Sequence, residues 1–391
     1  MKKSLPSNDK NDTSAMASPS VIIIGAGPAG LASAGQLREK GISFIILEKG
    51  QGVAQCWRDH YDRLHLHTVK ELSHLPGEDF PEDYDRYVHK KDLVRYYEQY
   101  AEKREIKPLF GKNVVDIEKK DQQWQVLCED GSSYEAPAVI ISAGMNRVPF
   151  RPHYQNEEDF AGEILHSHDY QNAQPYQGKR VLVVGMGNSG AEIALDLCEH
   201  GVDTSISVRG PVNIVPREVF GTPTQVTALK IGKLPHWLGD ALGLAVRKFT
   251  VGDLPKYGIE LPAISPAKQL RETGQTPVID LGTLDYIRSG ELKVLPGVEE
   301  FAVNSIVFSN GEEHPFDVVI LATGFRAALS EWLNLDAEHF DQRQLPRKPV
   351  GSGPYAGLYF LGYNNYAPGG GLGIIRQDVF PIVEAVERQV L

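Results

Sequence analysis

Val21-Ile-Ile-Ile-Gly25-Ala-Gly27-Pro28-Ala29-Gly30 is the stretch from which the fold is read. Its first four residues are apolar and β-branched, the pattern of a strand buried on both faces of a parallel sheet. Three glycines at G-x-G-x-x-G spacing follow at once. Leu31 to Lys40 has helical composition and stops at Gly41, a fitting glycine just past a helix end. Phe44-Ile-Ile-Leu47 is a second apolar run, and it ends in Glu48. The spacing predicts a βαβ unit with a dinucleotide fingerprint in its first turn.

The same grammar returns at Val181-Leu-Val-Val184, which leads into Gly185-Met-Gly187-Asn188-Ser189-Gly190. Ala191 to His200 reads as a helix, Gly201 stops it, and Thr204 to Val208 reads as the next strand. Ala138 to Gly144 and Val318 to Gly324 are matching apolar strands, each running into a small residue and a glycine. One such glycine motif arises by chance roughly 0.4 times in a chain of this glycine content, so its context carries the weight. Both copies follow an apolar run and open a helix. The expected fold is therefore α/β, with two Rossmann-like units, the second inserted into the first. The expected boundaries are a flexible tail over 1–18, a first unit over 19–170 and 322–391, and a second unit over 171–321.

Composition agrees with a globular protein. The chain has 391 residues, 41% of them hydrophobic and 23% charged. That length buries full cores without disulfides or a structural metal. A net charge of −11 lacks the basic footprint of a nucleic-acid binder. Cys56, Cys128 and Cys198 contain no Cys-x-x-Cys pair, so a redox dithiol is excluded. No stretch reads as a membrane span or a secretory signal, and a cytoplasmic protein is the expectation. A homodimer, the commonest assembly, stands as the default.

In each motif the first glycine permits the tight turn, the second lets backbone approach a pyrophosphate, and the third lets helix pack on strand. Helix N–H groups and the helix dipole then hold the phosphates. Glu48, 23 residues after Gly25, suits a ribose 2′-hydroxyl and repels a 2′-phosphate. The equivalent place in the second unit, 24 residues after Gly185, holds Arg209, whose guanidinium suits the 2′-phosphate of NADPH. A charge-assisted bond of ~1.5–3 kcal/mol implies a ~10- to 100-fold preference for NADPH over NADH. Two dinucleotides in one chain imply redox chemistry, with FAD the natural occupant of the first unit. Without a dithiol, electrons pass to oxygen, a quinone or a protein acceptor.

Phe160-Ala-Gly162-Glu-Ile-Leu-His166-Ser-His-Asp-Tyr170 lies between the two units. It resembles F-x-G-x-x-x-H-x-x-x-Y, the identifying sequence of flavin-containing monooxygenases, a match expected by chance about 0.002 times per chain. Ala322-Thr323-Gly324-Phe325 resembles the family's A-T-G-Y/F element. Baeyer–Villiger members carry Trp where Tyr170 stands, which disfavours that branch. Cys56-Trp57-Arg58, Tyr61 to His67, Pro216 to Gly221, Thr276 to Gly282 and Ile287 to Gly290 are similar to blocks of the plant YUCCA-type enzymes, which act on indole-3-pyruvate.

The resemblance implies that NADPH reduces FAD, that O₂ then forms a C4a-hydroperoxyflavin, and that one oxygen atom enters a small organic substrate. It implies FAD contacts at Gly25, Gly27, Pro28, Ala29, Gly30, Glu48, Lys49, Trp57 and Arg58. NADPH contacts are implied at Gly185, Gly187, Asn188, Ser189, Gly190 and Arg209. Thr323 and Gly324 are expected at the crevice between the units, at the carboxyl edge of a sheet. His67 and Asn146 are the expected catalytic contacts. Phe160, Gly162, His166 and Tyr170 are expected to couple the two units. No metal site is expected. The first substrate expectation is a 2-oxo acid such as indole-3-pyruvate. Soft amines and sulfides, or NADPH oxidation without oxygen insertion, are the alternatives. Tyr363 to Gly373 departs from the plant pattern and is expected near flavin and substrate. Pro235 to Val246 is expected to pack as a helix, with a substrate entrance as the other reading.

Overall fold

The computed structural model describes residues 19–391, and the tail expected over 1–18 lies outside them. Two five-stranded sheets, each wholly parallel, organise the chain. The first runs in the order Leu358–Phe360, Ala138–Ile141, Val21–Ile24, Phe44–Glu48, Leu109–Phe110. The second runs Lys293–Leu295, Asp203–Ser207, Arg180–Val184, Val318–Leu321, Glu163–His166. The strand bearing the glycine motif is central in each. Val21–Ile24 is buried throughout and Val181 to Val184 likewise, which is why both read as unbroken apolar runs.

The duplication extends further. A three-stranded antiparallel meander precedes the glycine-terminated strand in both units, over 114–136 and 298–315. The second unit's sheet lies between two parts of the first, as the inserted arrangement requires. The chain crosses between units twice, and Val148–Pro149 pairs antiparallel with Phe325–Arg326 where it does so. Helix Pro28–Glu39 and the C-terminal helix Gly371–Val390 contribute Leu31, Leu37, Val379, Ile382 and Val386 to one core under the first sheet.

One detail differs from the sequence reading, and one expected helix is covered on a single face. The stretch before 171 was expected in the first unit, yet Glu163–His166 pairs with Val318–Leu321 as the edge strand of the second sheet. Its Pro- and His-rich surroundings read as a connector, because a strand whose partner lies about 155 residues away leaves no local signature. Pro235 to Val246 does form a helix, His236–Val251, but it packs on one face only. Gly239 and Arg247 are covered, while Trp237 is 73% and Phe249 77% exposed. No helix among the described residues is long and apolar enough to cross a membrane.

Candidate active site

The two glycine motifs share one geometry. Gly25 and Gly185 sit at φ 102° and 105°, a region that favours glycine. A side chain on Gly25 would meet the carbonyl of Ser142, and one on Gly185 that of Ala322. Gly30 and Gly190 press on the carbonyls of Gly25 and Gly185, so neither has room for a Cβ. At Gly27 and Gly187, by contrast, nothing lies within 4 Å of a Cβ position. Each of these two caps a helix that has no side-chain cap. Unpaired N–H groups and a helix dipole thus face open cradles of the kind a pyrophosphate fills.

Buried polar atoms without partners stand at the same sheet edges. Ser142 Oγ, just past Ala138–Ile141, is orphaned at the first unit. Ser167 Oγ, just past Glu163–His166, is orphaned at the second. Gly144 and Gly324 follow the matching strands at φ 85° and 87° with open space around them. Burial of unpaired hydroxyls is costly unless a bound group completes them. The residues present therefore fit a dinucleotide at each unit.

Glu48 is buried at the end of its strand. Its Oε2 accepts from the Ala26 N–H at 2.7 Å and its Oε1 from the Gly50 N–H at 2.7 Å. These bonds fix the carboxylate beside the first cradle, with lone pairs left for a ribose diol. Lys49 is exposed. Arg209 is also exposed, just past Asp203–Ser207, with its stem against Gly297. Asn188 uses its side chain inside the protein: Oδ1 accepts from Ile279 N–H at 2.8 Å, and Nδ2 donates to the Pro277 carbonyl at 3.3 Å. Its backbone N–H and the half-buried Ser189 remain at the cradle.

Trp57 packs against the cores of both units. Arg58 is held within the first unit, donating to the Val53 carbonyl at 3.0 Å and to Glu98 at 2.6 Å. His67 faces across the interface, its Nε2 at 3.1 Å from Glu192 on the second unit's helix. Asn146 lies exposed in the turn after Ala138–Ile141. Thr323 Oγ1 donates to the Phe150 carbonyl at 2.5 Å, beside the paired crossings.

The residues of the linker motif are engaged internally. Phe160 stacks edge-on against Phe301, and Gly162 is pressed between the Phe160 ring and the Asp317 carbonyl. His166 Nδ1 accepts from the His168 N–H at 3.1 Å, leaving Nε2 to donate to the Gly324 carbonyl at 3.1 Å. Burial lowers its pKa and keeps the ring neutral. Tyr170, fully buried, donates to Asp196 at 2.6 Å.

Sequence reasoning did not single out Glu192, Asp196 or Gln225. Gln225 is a buried strap: its Oε1 accepts from Val69 N–H at 2.9 Å and its Nε2 donates to the Gly369 carbonyl. From the second unit it ties together two parts of the first, the segment at Val69 and the glycine-rich start of the C-terminal helix. Beside it lies a cavity of about 410 Å³ between the two units. Val69, Leu72, Val226 and Leu229 supply apolar lining, and Arg86, Lys230, Lys233 and Glu71 the charges. Arg86 is shared with Glu218 at 3.2 Å. A second cavity, about 690 Å³, is lined by residues 51–110 and so belongs to the first unit alone.

Comparison with known proteins agrees with this geometry. Residues 22–217 match the family described as pyridine nucleotide-disulphide oxidoreductase. The three cysteines here are free. The indole-3-pyruvate monooxygenase YUCCA8 of Oryza sativa subsp. indica is 39% identical over 360 residues, covering 88% of this chain and 86% of that protein. The probable indole-3-pyruvate monooxygenase YUCCA3 of Arabidopsis thaliana is 38% identical over 359 residues, covering 88% and 81%. A solved flavin-containing monooxygenase from Stenotrophomonas maltophilia shares the fold, with a TM-score of 0.74 and 24% identity over 95% of this chain and 99% of that one.

Proposed function

The chain belongs to the YUCCA-type flavin-containing monooxygenases, FAD- and NADPH-dependent oxidoreductases, and from that premise we propose that its substrate is a small aromatic 2-oxo acid of the indole-3-pyruvate kind. The overall change would be 2-oxo acid + O₂ + NADPH + H⁺ → carboxylic acid one carbon shorter + CO₂ + NADP⁺ + H₂O. The bound cofactors supply the hydride and the activation of O₂, which no side chain here can do. The protein's part is binding, orientation and exclusion of water. We assign the Gly25–Gly30 turn and Glu48 to FAD, the first for its pyrophosphate and the second for its ribose. We assign the Gly185–Gly190 turn to the pyrophosphate of NADPH and Arg209 to its 2′-phosphate.

The observation that carries the substrate reading is the cavity between the units. Its volume of about 410 Å³ suits a small molecule rather than a peptide. Apolar side chains line it for a ring, while Lys230 and Lys233, in a lining that also holds Glu71, form no ion pair within 4 Å among the described residues. Two unpaired ammonium groups beside an apolar wall suit an aromatic carboxylate. Gln225, next in sequence to the lining residue Val226, donates to the Gly369 carbonyl just before the C-terminal helix.

The double variant Lys230→Gln/Lys233→Gln tests this assignment. KM for indole-3-pyruvate should rise about tenfold, a loss of ~1.4 kcal/mol of binding, with a much smaller change in kcat. KM for a neutral sulfide should stay unchanged. Oxidation of sulfides or amines with no turnover of any 2-oxo acid would replace this reading with N- or S-oxygenation. NADPH consumption that yields only hydrogen peroxide with every substrate would point to an oxidase.

A further inference from the structure

Helix Asn188–Glu199 begins at the second cradle and carries Glu192, Asp196 and Glu199 on one face, at i, i+4 and i+7. Glu192 is 2% exposed and Asp196 5%. A buried carboxylate persists only where donors surround it, and here most donors come from outside the second unit's sheet. Glu192 Oε2 accepts from the Tyr61 hydroxyl at 2.8 Å and faces His67 Nε2 at 3.1 Å. Arg63 Nε stands 3.9 Å from its other oxygen. One turn on, Asp196 accepts from the Tyr170 hydroxyl at 2.6 Å. Arg63 lies 3.7 Å from Asp196 and 2.7 Å from Glu199. A single cation from the first unit thus spans three acids of the second.

We propose that Glu192 is a positioning residue: it ties Tyr61 and His67 of the flavin unit to the helix whose N-terminus receives the NADPH pyrophosphate, so that occupancy of that cradle fixes the place of His67. The inference rests on the assignment of the second cradle to NADPH. Glu192 lies five residues from Gly187, about 7.5 Å along the axis at ~1.5 Å per residue. A helix is stiff over that length, so a displacement at the cradle reaches the carboxylate undiminished. The contact also orients the ring, turning Nε2 toward Glu192. Burial and the neighbouring Glu192 push the Tyr61 hydroxyl well above its usual pKa, so it stays a donor at working pH. Around this pair the backbone is pinned: Asp62 N–H donates to the Gln171 carbonyl at 2.8 Å and Leu66 N–H to that of Val88 at 2.8 Å.

Hydrogen exchange read by mass spectrometry on the full-length, FAD-loaded protein tests the proposal, with and without saturating NADP⁺. In the parent protein NADP⁺ should slow exchange at the cradle, 185–190, and also over 61–67, the latter by about fivefold or more, the low end of measured site–site couplings. Glu192→Gln keeps the shape and removes the charge. It should retain protection at 185–190 and lose the added protection over 61–67. Tyr61→Phe, which deletes a single hydroxyl, should give the same pattern in weaker form and serves if the first variant does not fold. Equal protection of 61–67 in both variants and the parent overturns the proposal. So does protection confined to the cradle in the parent. Protection at neither place strikes the cradle assignment itself, and the proposal falls with it.

Discussion

At the scale of single residues, two glycines three positions apart have opposite roles. Gly27 has φ −78° and empty space where a Cβ would go, whereas Gly30 lies against the Gly25 carbonyl. Gly27→Ala should therefore leave the melting temperature of the FAD-free protein nearly unchanged and weaken FAD binding about tenfold or more, since ~1.4 kcal/mol is a factor of ten. Gly30→Ala forces strand and helix apart and should lose soluble protein outright. Thermal melts of the apoprotein and a fluorescence titration with FAD separate the two. Arg209 makes the companion case. Its side chain is exposed past the end of a strand, so Arg209→Gln should cost little stability. It should reduce the preference for NADPH over NADH by about 10- to 100-fold, the value of one charge-assisted bond. A ratio of kcat/KM values unchanged by the substitution would place the 2′-phosphate elsewhere.

Single elements show what the sequence reveals and what it conceals. Val21–Ile24 and its helix are legible because each signal is local: β-branched residues, three glycines, then an acid after the next strand. The edge strand Glu163–His166 is concealed, because its partner, Val318–Leu321, comes from far along the chain. Glu192 and Asp196 are concealed for the same reason. On the helix pattern alone they read as solvated charges, and it is Tyr61, Arg63, His67 and Tyr170 that make their burial tolerable. Of the expected site, the cradles and Glu48 could be read directly, while the engagement of His166 with Gly324 and of Arg58 with Glu98 could not. Tyr170 gives this point a measurable form. Tyr170→Phe removes the 2.6 Å donor from buried Asp196, at a cost of about 1–3 kcal/mol. Burial first, then Asp196, raises the Tyr170 pKa above its ordinary value. An acid whose neutral form is favoured by folding keeps its contribution below the unfolded pKa of ~10 and loses it only as pH rises through the folded value. Urea unfolding of parent and variant should therefore give the same difference at neutral pH and at mildly alkaline pH. A difference that shrank across that range would mean that Tyr170 ionises early.

For the whole molecule, the repeated plan sets how the two cofactors influence each other. Each dinucleotide would lie on its own parallel sheet, and the chain links the sheets through the paired crossings at Val148–Pro149 and Phe325–Arg326. A polar seam joins them as well, from Arg63 and His67 to Glu192 and from Gln225 to Gly369. Units joined by polar contacts move relative to one another unless a ligand fixes them. If NADP⁺ tightens the seam, FAD binding must tighten by the same factor, because coupling between two sites is reciprocal. Four dissociation constants close the cycle: NADP⁺ on the apoprotein and on the FAD-loaded protein, and FAD with and without NADP⁺. Titration calorimetry should return equal factors of about 5 or more, or ~1 kcal/mol of coupling. In Glu192→Gln both factors should fall toward one, while NADP⁺ affinity for the FAD-free protein stays close to that of the parent. That last comparison is decisive. A seam that only braced the fold would lower every affinity together and leave the factors equal to those of the parent. A seam that carries the state of one cradle to the other unit loses its factor and keeps its intrinsic affinities.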